Sequence, residues 1–335
     1  MSDGTATPGD LAAVTERAPG ILRAAGLGGG PVTDVTRLRG GSKKGVYRLS
    51  RGDGFSAVLY VWSTAEDYWP AEPGGDETGP LAHASGIGLF EASARHLQRA
   101  GVRVPRTYLL DRSRALYPAD IVLAEDVRGG TLEELLEADP RAAEPVMERL
   151  GDMLAAMWRQ RSDRIGKVAE VASAASVAVG LSCERIVLDR ALRQLAGAGD
   201  RVPSVAAARP RLEDRLRALA AAVTPRAGYS LIHGELGPDH VFIDDQGQPV
   251  VIDIEGAMYF DVEWEHVFLR LRFGDRYGRL ALSGLDQRRM DLYGLALDLS
   301  LIEGPLRLLD GGFPDRDFML SIAGWAVERV LAPAG

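Results

Sequence analysis

The chain has 335 residues, 46 % hydrophobic and 26 % charged, the balance of folded soluble domains and enough length for two lobes with separate cores. Its formal net charge of −8 argues against nucleic acid or an anionic membrane as principal partner and suits a cationic small molecule or peptide. The single cysteine, Cys183, excludes an internal disulfide and a cysteine-cluster metal site, fits a reducing cytoplasm, and reads as a buried thiol.

In chain order, "MSDGTATPGDLAAVTERA" lacks a basic segment followed by an apolar one, so no secretory signal is expected and a cytoplasmic location is. Residues 8–26 read as a helix, with Pro8 at its start and Gly26 closing it. The period then changes to two, giving antiparallel strands at 32–39, 45–51 and 55–62 around glycine turns. The segment "TAEDYWPAEPGGDETGPLAHASG" reads as a long surface loop, rich in Gly, Pro and acid. A helix in "GLFEASARHLQRAG" and strands in "VRVPRTYLLD" and "DIVLAEDV" complete a five-stranded lobe. After the connector "RGGTLEELLEAD" the chain is mainly helical, with helices at 140–160, 168–197, 210–223, 262–273, 285–309 and 315–331, interrupted only by the hairpin "HVFIDD" and "QPVVIDIE".

The fold class is therefore α+β and bilobal. A helical segment at 1–30 precedes a small antiparallel sheet lobe at 31–126, and a large helical lobe at 127–335 carries the hairpin. Lysine occurs only at Lys43, Lys44 and Lys167, so the adjacent pair draws notice.

The stretch "SLIHGELGPDHVFIDDQGQPVVIDIEGAMYFDVEWE" sets a His-Gly-acid turn, a hairpin and an Ile-Asp-Ile-Glu in sequence. In this it resembles the aminoglycoside phosphotransferase family, which shares a superfamily with choline kinases and protein kinases. The resemblance runs over roughly residues 30 to 330 and implies a protein-kinase-like fold, ATP as donor and Mg2+ as its partner ion. That family writes its catalytic loop His-Gly-Asp with Asn five residues later. Here the loop reads His233-Gly234-Glu235, with His240 at the Asn position. The resemblance makes His233 and Glu235 catalytic; glutamate keeps the carboxylate but carries it one methylene farther. It makes Asp253 the metal-binding acid, with His240 as second ligand, and an imidazole there admits Mn2+ as well as Mg2+. Glu255 stands as an alternative ligand, Asp261 as the brace of the catalytic loop, and Glu265 as a structural acid.

In the small lobe, Gly40, Gly41, Ser42, Lys43 and Lys44 resemble the turn that covers the nucleotide phosphates. The family's third-strand cation is replaced by Tyr60, and Lys43 or Lys44 is expected to restore the charge. Glu91 matches the helix glutamate that pairs with that cation, and Glu125 and Val127 mark the hinge, where backbone groups rather than side chains meet adenine. The expected activity is transfer of the γ-phosphate of ATP to a hydroxyl of a small-molecule antibiotic or metabolite, or of a Ser/Thr-bearing peptide. The departures at Tyr60, Glu235 and His240 leave a second reading, a pseudokinase that serves as a binding or scaffold subunit. A hydrolase using His233, His240 and Asp253 has no helix-borne ligand pair to support it.

Overall fold

The computed structural model describes residues 8–38, 41–70, 79–173 and 182–332. Helix α1 (Pro8–Ala24) precedes strands β1 (Val32–Arg37), β2 (Gly45–Arg51) and β3 (Ser56–Trp62); α2 (Ile87–Arg99), β4 (Thr107–Asp111) and β5 (Asp120–Glu125) follow. These strands form one antiparallel sheet in the order β1-β2-β3-β5-β4. Strict alternation on β2 turns Tyr47 and Leu49 inward, where Val14, Ala18, Ile21 and Leu22 of α1 cover them. The opposite face of β3 and β5 packs on Phe90 and Leu97 of α2, so the central strand β3 is buried on both sides.

The larger lobe comprises α3 (Leu132–Ala138), α4 (Pro140–Trp158), strands β6 (Arg161–Ser162) and β7 (Gly166–Lys167), α5 (Val168–Ser173), α6 (Cys183–Arg201) and α7 (Pro203–Ala222). Strands β8 (Tyr229–Ile232), β9 (Val241–Ile243), β10 (Pro249–Val251) and β11 (Met258–Phe260) come next, and α8 (Val262–Phe273), α9 (Gln287–Asp310) and α10 (Arg316–Leu331) end the chain. Helix α9 packs against α6, α7, α8 and α10. Cys183 is a free, buried thiol at the start of α6.

Four points correct the sequence reading. The single helix expected at 168–197 is two: α5 ends at Ser173 and α6 begins at Cys183. The helix expected from Pro210 begins at Pro203, which fills the first turn where a missing N–H costs nothing; Pro210 lies inside α7 on its exposed side, where the freed carbonyl meets water. A second sheet, β6-β8-β11-β7, underlies the hairpin of β9 and β10. The 64–86 segment is anchored where it is described. Glu66 is 3 % exposed and bonds Arg37 and Tyr47, while Tyr68 and Trp69 pack against Phe313 and Arg307. Among the described residues no helix is long and apolar enough to cross a membrane.

Candidate active site

Strand β8, buried along its length, delivers the chain to His233, which is 2 % exposed. The imidazole Nε2 donates to the carbonyl of Ile252 at 2.9 Å, and its Nδ1 accepts from the Glu235 N–H at 3.4 Å. A carbonyl cannot donate, so the proton sits on Nε2. Burial, helped by nearby His240, pushes this group below the usual histidine value, and it acts as a neutral clamp. Gly234 has φ of +96°, and a Cβ there would meet the Met258 methyl at 2.9 Å, so the position requires glycine. Its N–H donates to Glu265 Oε2 at 2.6 Å and its carbonyl accepts from Trp264 Nε1 at 3.1 Å. Held at these points, the loop turns Glu235 out to solvent, and among the described residues its carboxylate enters no hydrogen bond or ion pair.

The loop returns through His240, whose Nδ1 donates to the Glu235 carbonyl at 3.0 Å. That bond places its proton on Nδ1 and leaves Nε2 as the atom able to bind a metal or a phosphate. Ile252 then ties the loop to the hairpin, because its N–H donates to the His240 carbonyl at 3.0 Å while its own carbonyl takes the His233 proton. Asp253 follows with φ 56° and ψ 48°, a left-handed backbone that costs a non-glycine residue of order 1–3 kcal/mol. Arg114 and Asp253 are the two non-glycine residues with positive φ among those described.

Lys44 reaches this acid from the turn between β1 and β2. Its Nζ lies 2.9 Å from Asp253 Oδ1 and 2.5 Å from Glu255 Oε1, and 5.5 Å from the centroid of the Tyr60 ring. The Lys44 ammonium, carried by the turn, thus stands over Tyr60 of the third strand. Burial alone would push the ammonium down, but Asp253 and Glu255 outweigh it and hold Lys44 above the ordinary lysine value. In return the Lys44 charge, opposed by burial, holds Asp253 well below the usual carboxylate range. The Asp253 side chain remains 41 % exposed toward the cleft, whereas that of Glu255 is 5 % exposed.

The turn itself is tight. A Cβ on Gly41 would fall 2.2 Å from the Lys44 carbonyl oxygen. Ser42 is tied back to the following segment: its carbonyl accepts from the Tyr68 N–H at 2.9 Å and its hydroxyl from Trp69 Nε1 at 3.1 Å. Gly40, expected in this turn, lies outside the described residues. Lys43, half-buried, lines a cleft with Glu235, Asp253, Lys167 and Arg190. Among the described residues no group of three or more His, Cys, Asp or Glu is placed to hold a metal ion. Magnesium needs no such group, since it takes one or two protein ligands and completes its shell from phosphates and water.

A family model for the phosphotransferase enzyme family, APH, matches residues 34–295. The chain belongs to this family. Solved phosphotransferases share its fold. A thermostable mutant of aminoglycoside phosphotransferase APH(4)-Ia has a TM-score of 0.61 at 17 % identity, covering 96 % of this chain and 100 % of that one. Choline kinase LicA from Streptococcus pneumoniae has a TM-score of 0.60 at 13 % identity, covering 95 % and 97 %. Spectinomycin phosphotransferase APH(9)-Ia, solved with ADP and spectinomycin, has a TM-score of 0.60 at 12 % identity, covering 95 % and 97 %. No curated protein matches the chain in sequence. The bilobal kinase-like plan read from periodicity and motif is thus borne out.

Within this phosphotransferase fold, two expected residues stand differently. Glu91 does not reach the cleft: it bonds Arg95 at 2.8 Å and Arg112 at 2.6 Å on the outer face of α2, because Ile87, Phe90, Ala94 and Leu97 take the inner one. Lys44 finds its second acid in Glu255 instead. Asp261 does not brace the catalytic loop; it bonds Arg289 and Tyr293 of α9, both at 2.5 Å, and Glu265 takes the brace. At the hinge, the Glu125 N–H donates to the Arg106 carbonyl and its carboxylate accepts from Arg103, while Val127 is buried just beyond β5. Between them Asp126 accepts from Arg48 of β2 at 2.8 and 3.0 Å. Glu265 and Asp126 could have been found from sequence only by knowing which loop their carboxylates would face.

Proposed function

We propose that the chain transfers the γ-phosphate of ATP to a hydroxyl group, either of a small-molecule antibiotic or metabolite or of a Ser/Thr-bearing natural-product peptide. The observation that carries this reading is the Lys44 ammonium standing over Tyr60 within 2.9 Å of Asp253, a cation restored by a different residue at the place where phosphates need one. ADP bound to a relative of the same fold supports an adenine nucleotide. The adenine edge would meet the backbone at Val127 and the Glu125 carbonyl, and the phosphates would lie under the turn of Gly41, Ser42 and Lys43.

The acceptor hydroxyl donates its hydrogen bond to Glu235, whose carboxylate is uncommitted among the described residues. As the acceptor oxygen bonds to the γ-phosphorus, the bond from that phosphorus to the β-bridging oxygen breaks, its electron pair leaves with ADP, and the hydroxyl proton passes to Glu235. Charge developing on the transferred group and the leaving oxygen meets Lys44 and Lys43. Asp253 and His240 Nε2 would hold Mg2+, which would screen the charge of the nucleotide phosphates; an imidazole ligand suits Mn2+ as well. His233 and Glu265 keep the loop in register and touch no reacting atom.

Incubation with Mg2+-ATP and a panel of hydroxyl compounds, read by mass spectrometry, tests this. The parent should add a phosphoryl group to at least one acceptor, and Glu235→Gln should lower that turnover by about 10²- to 10⁴-fold while nucleotide binding is kept. Equal turnover in Glu235→Gln would overturn the assigned base. Nucleotide binding without transfer to any acceptor would favour the pseudokinase reading.

A further inference from the structure

The cleft in front of Glu235 is lined by Lys43, Lys167 and Arg190, with Asp253 and Met258. Neither hinge position, Glu125 nor Val127, lines it, so it is the phosphate and acceptor end of the cleft. Lys43 belongs to the turn above the phosphates, whereas Lys167 ends β7 and Arg190 lies on α6, both in the larger lobe beside the catalytic loop.

Lys167 is 3 % exposed, and its Nζ donates to the carbonyls of Gly79 at 3.1 Å and Ala82 at 3.0 Å. An ammonium has three donors, so among the described residues one remains for the cleft it lines. Among the described residues Lys167 forms no ion pair with a carboxylate. Burial pushes it down to about 8, with Glu170 and Glu235 opposing that fall and Lys43 and Arg190 adding to it. A buried ammonium whose head is fixed by two carbonyls, and by no carboxylate among the described residues, is a costly arrangement unless an anion completes it. The chain's overall acidity suits a cationic acceptor, but this cleft is balanced, with Lys43, Lys167 and Arg190 against Glu235, Asp253 and Glu255.

We infer that the acceptor carries an anionic group, a carboxylate or a phosphate, which Lys167 and Arg190 hold so that a neighbouring hydroxyl meets Glu235. The inference rests on the phosphotransferase reading above and narrows its acceptor to hydroxy acids or hydroxylated phosphate esters. The bidentate guanidinium of Arg190 and the fixed ammonium of Lys167 would select such a group over an uncharged or cationic one.

The test is calorimetric titration of the full chain, saturated with Mg2+-ADP, with four probes of similar size: D-glycerate, glycerol 3-phosphate, glycerol and choline. The two anions should bind and the other two should not, and the stronger of the anions tells carboxylate from phosphate. Lys167→Met and, separately, Arg190→Gln should each weaken anion binding about tenfold or more with Mg2+-ADP binding unchanged. Choline or glycerol binding as tightly as the anions, or anion binding unaltered in both variants, would overturn the inference. Should Lys167→Met not fold, Arg190→Gln and the charge preference of the parent decide. Anion titration without nucleotide separates the two levels: absence of Mg2+-ADP binding counts against the phosphotransferase reading, while loss of charge preference counts against the anionic acceptor.

Discussion

Lys44 joins the two lobes chemically, because it leaves a small-lobe turn and ends on two acids of the larger one. Removing it as Lys44→Met strands Glu255, whose side chain is 5 % exposed, and breaking a buried pair in this way costs about 3–5 kcal/mol. It also removes the phosphate cation, so turnover should fall about 10²-fold or more. Adding Tyr60→Lys to Lys44→Met places an ammonium on the strand beneath the same spot and should recover part of both losses. Chemical denaturation and steady-state kinetics on the three variants check this, and no recovery at all in the double variant would show that the two positions do not share one role. Composition pointed to Lys44, since three lysines in 335 residues make an adjacent pair conspicuous, but not to which of the pair turns inward. Glu265 supplies a second residue-scale test. Burial pushes its carboxyl from the usual 4.5 up to about 7. The folded state therefore keeps this proton through a window in which the unfolded chain has released it, and stability falls as pH rises from about 4.5 to 7, by on the order of 3 kcal/mol in all. Glu265→Gln still accepts from Gly234, and its thermal stability should gain on the parent's across that window; parallel pH profiles would contradict the raised value.

At the scale of elements, what sequence revealed depended on length and face. Strands of six or seven residues and amphipathic helices announced themselves by period, whereas β6, β7 and β11, of two or three residues, are too short to show alternation. Their sheet nevertheless carries β8, and with it the catalytic loop. Helix α2 was found but its working face was not, and this is why Glu91 was expected in the cleft. The segment after β3 was read as a surface loop because its composition is that of a loop, yet Trp69 bonds Ser42 of the turn between β1 and β2 and stacks beneath Arg307 of α9 at 5.1 Å. This strap fixes the turn relative to the larger lobe. Trp69→Ala should raise the KM for ATP several-fold while changing kcat little, because the tie serves nucleotide binding rather than the proton transfer. Kinetics at saturating acceptor would show it, and an unchanged KM would mean that the turn is set by Gly41 and Lys44 alone.

Over the whole molecule, the two lobes were legible as a change of period from two to 3.6 near the hinge, and the order of motifs placed the cleft between them. The distribution of charge was not legible. A net charge of −8 describes the whole chain, while the fold gathers Lys43, Lys44, Lys167 and Arg190 about Glu235, Asp253 and Glu255, so the cleft does not share the chain's acidity. The central claim is that this cleft binds a metal nucleotide by way of Lys44 and Asp253. Its most direct test is calorimetric binding of ATP with Mg2+, and again with EDTA, to the parent and to Asp253→Asn. The account predicts binding by the parent that weakens at least tenfold both on chelation and in the variant. Binding equally tight with EDTA, and equally tight in Asp253→Asn, would contradict it.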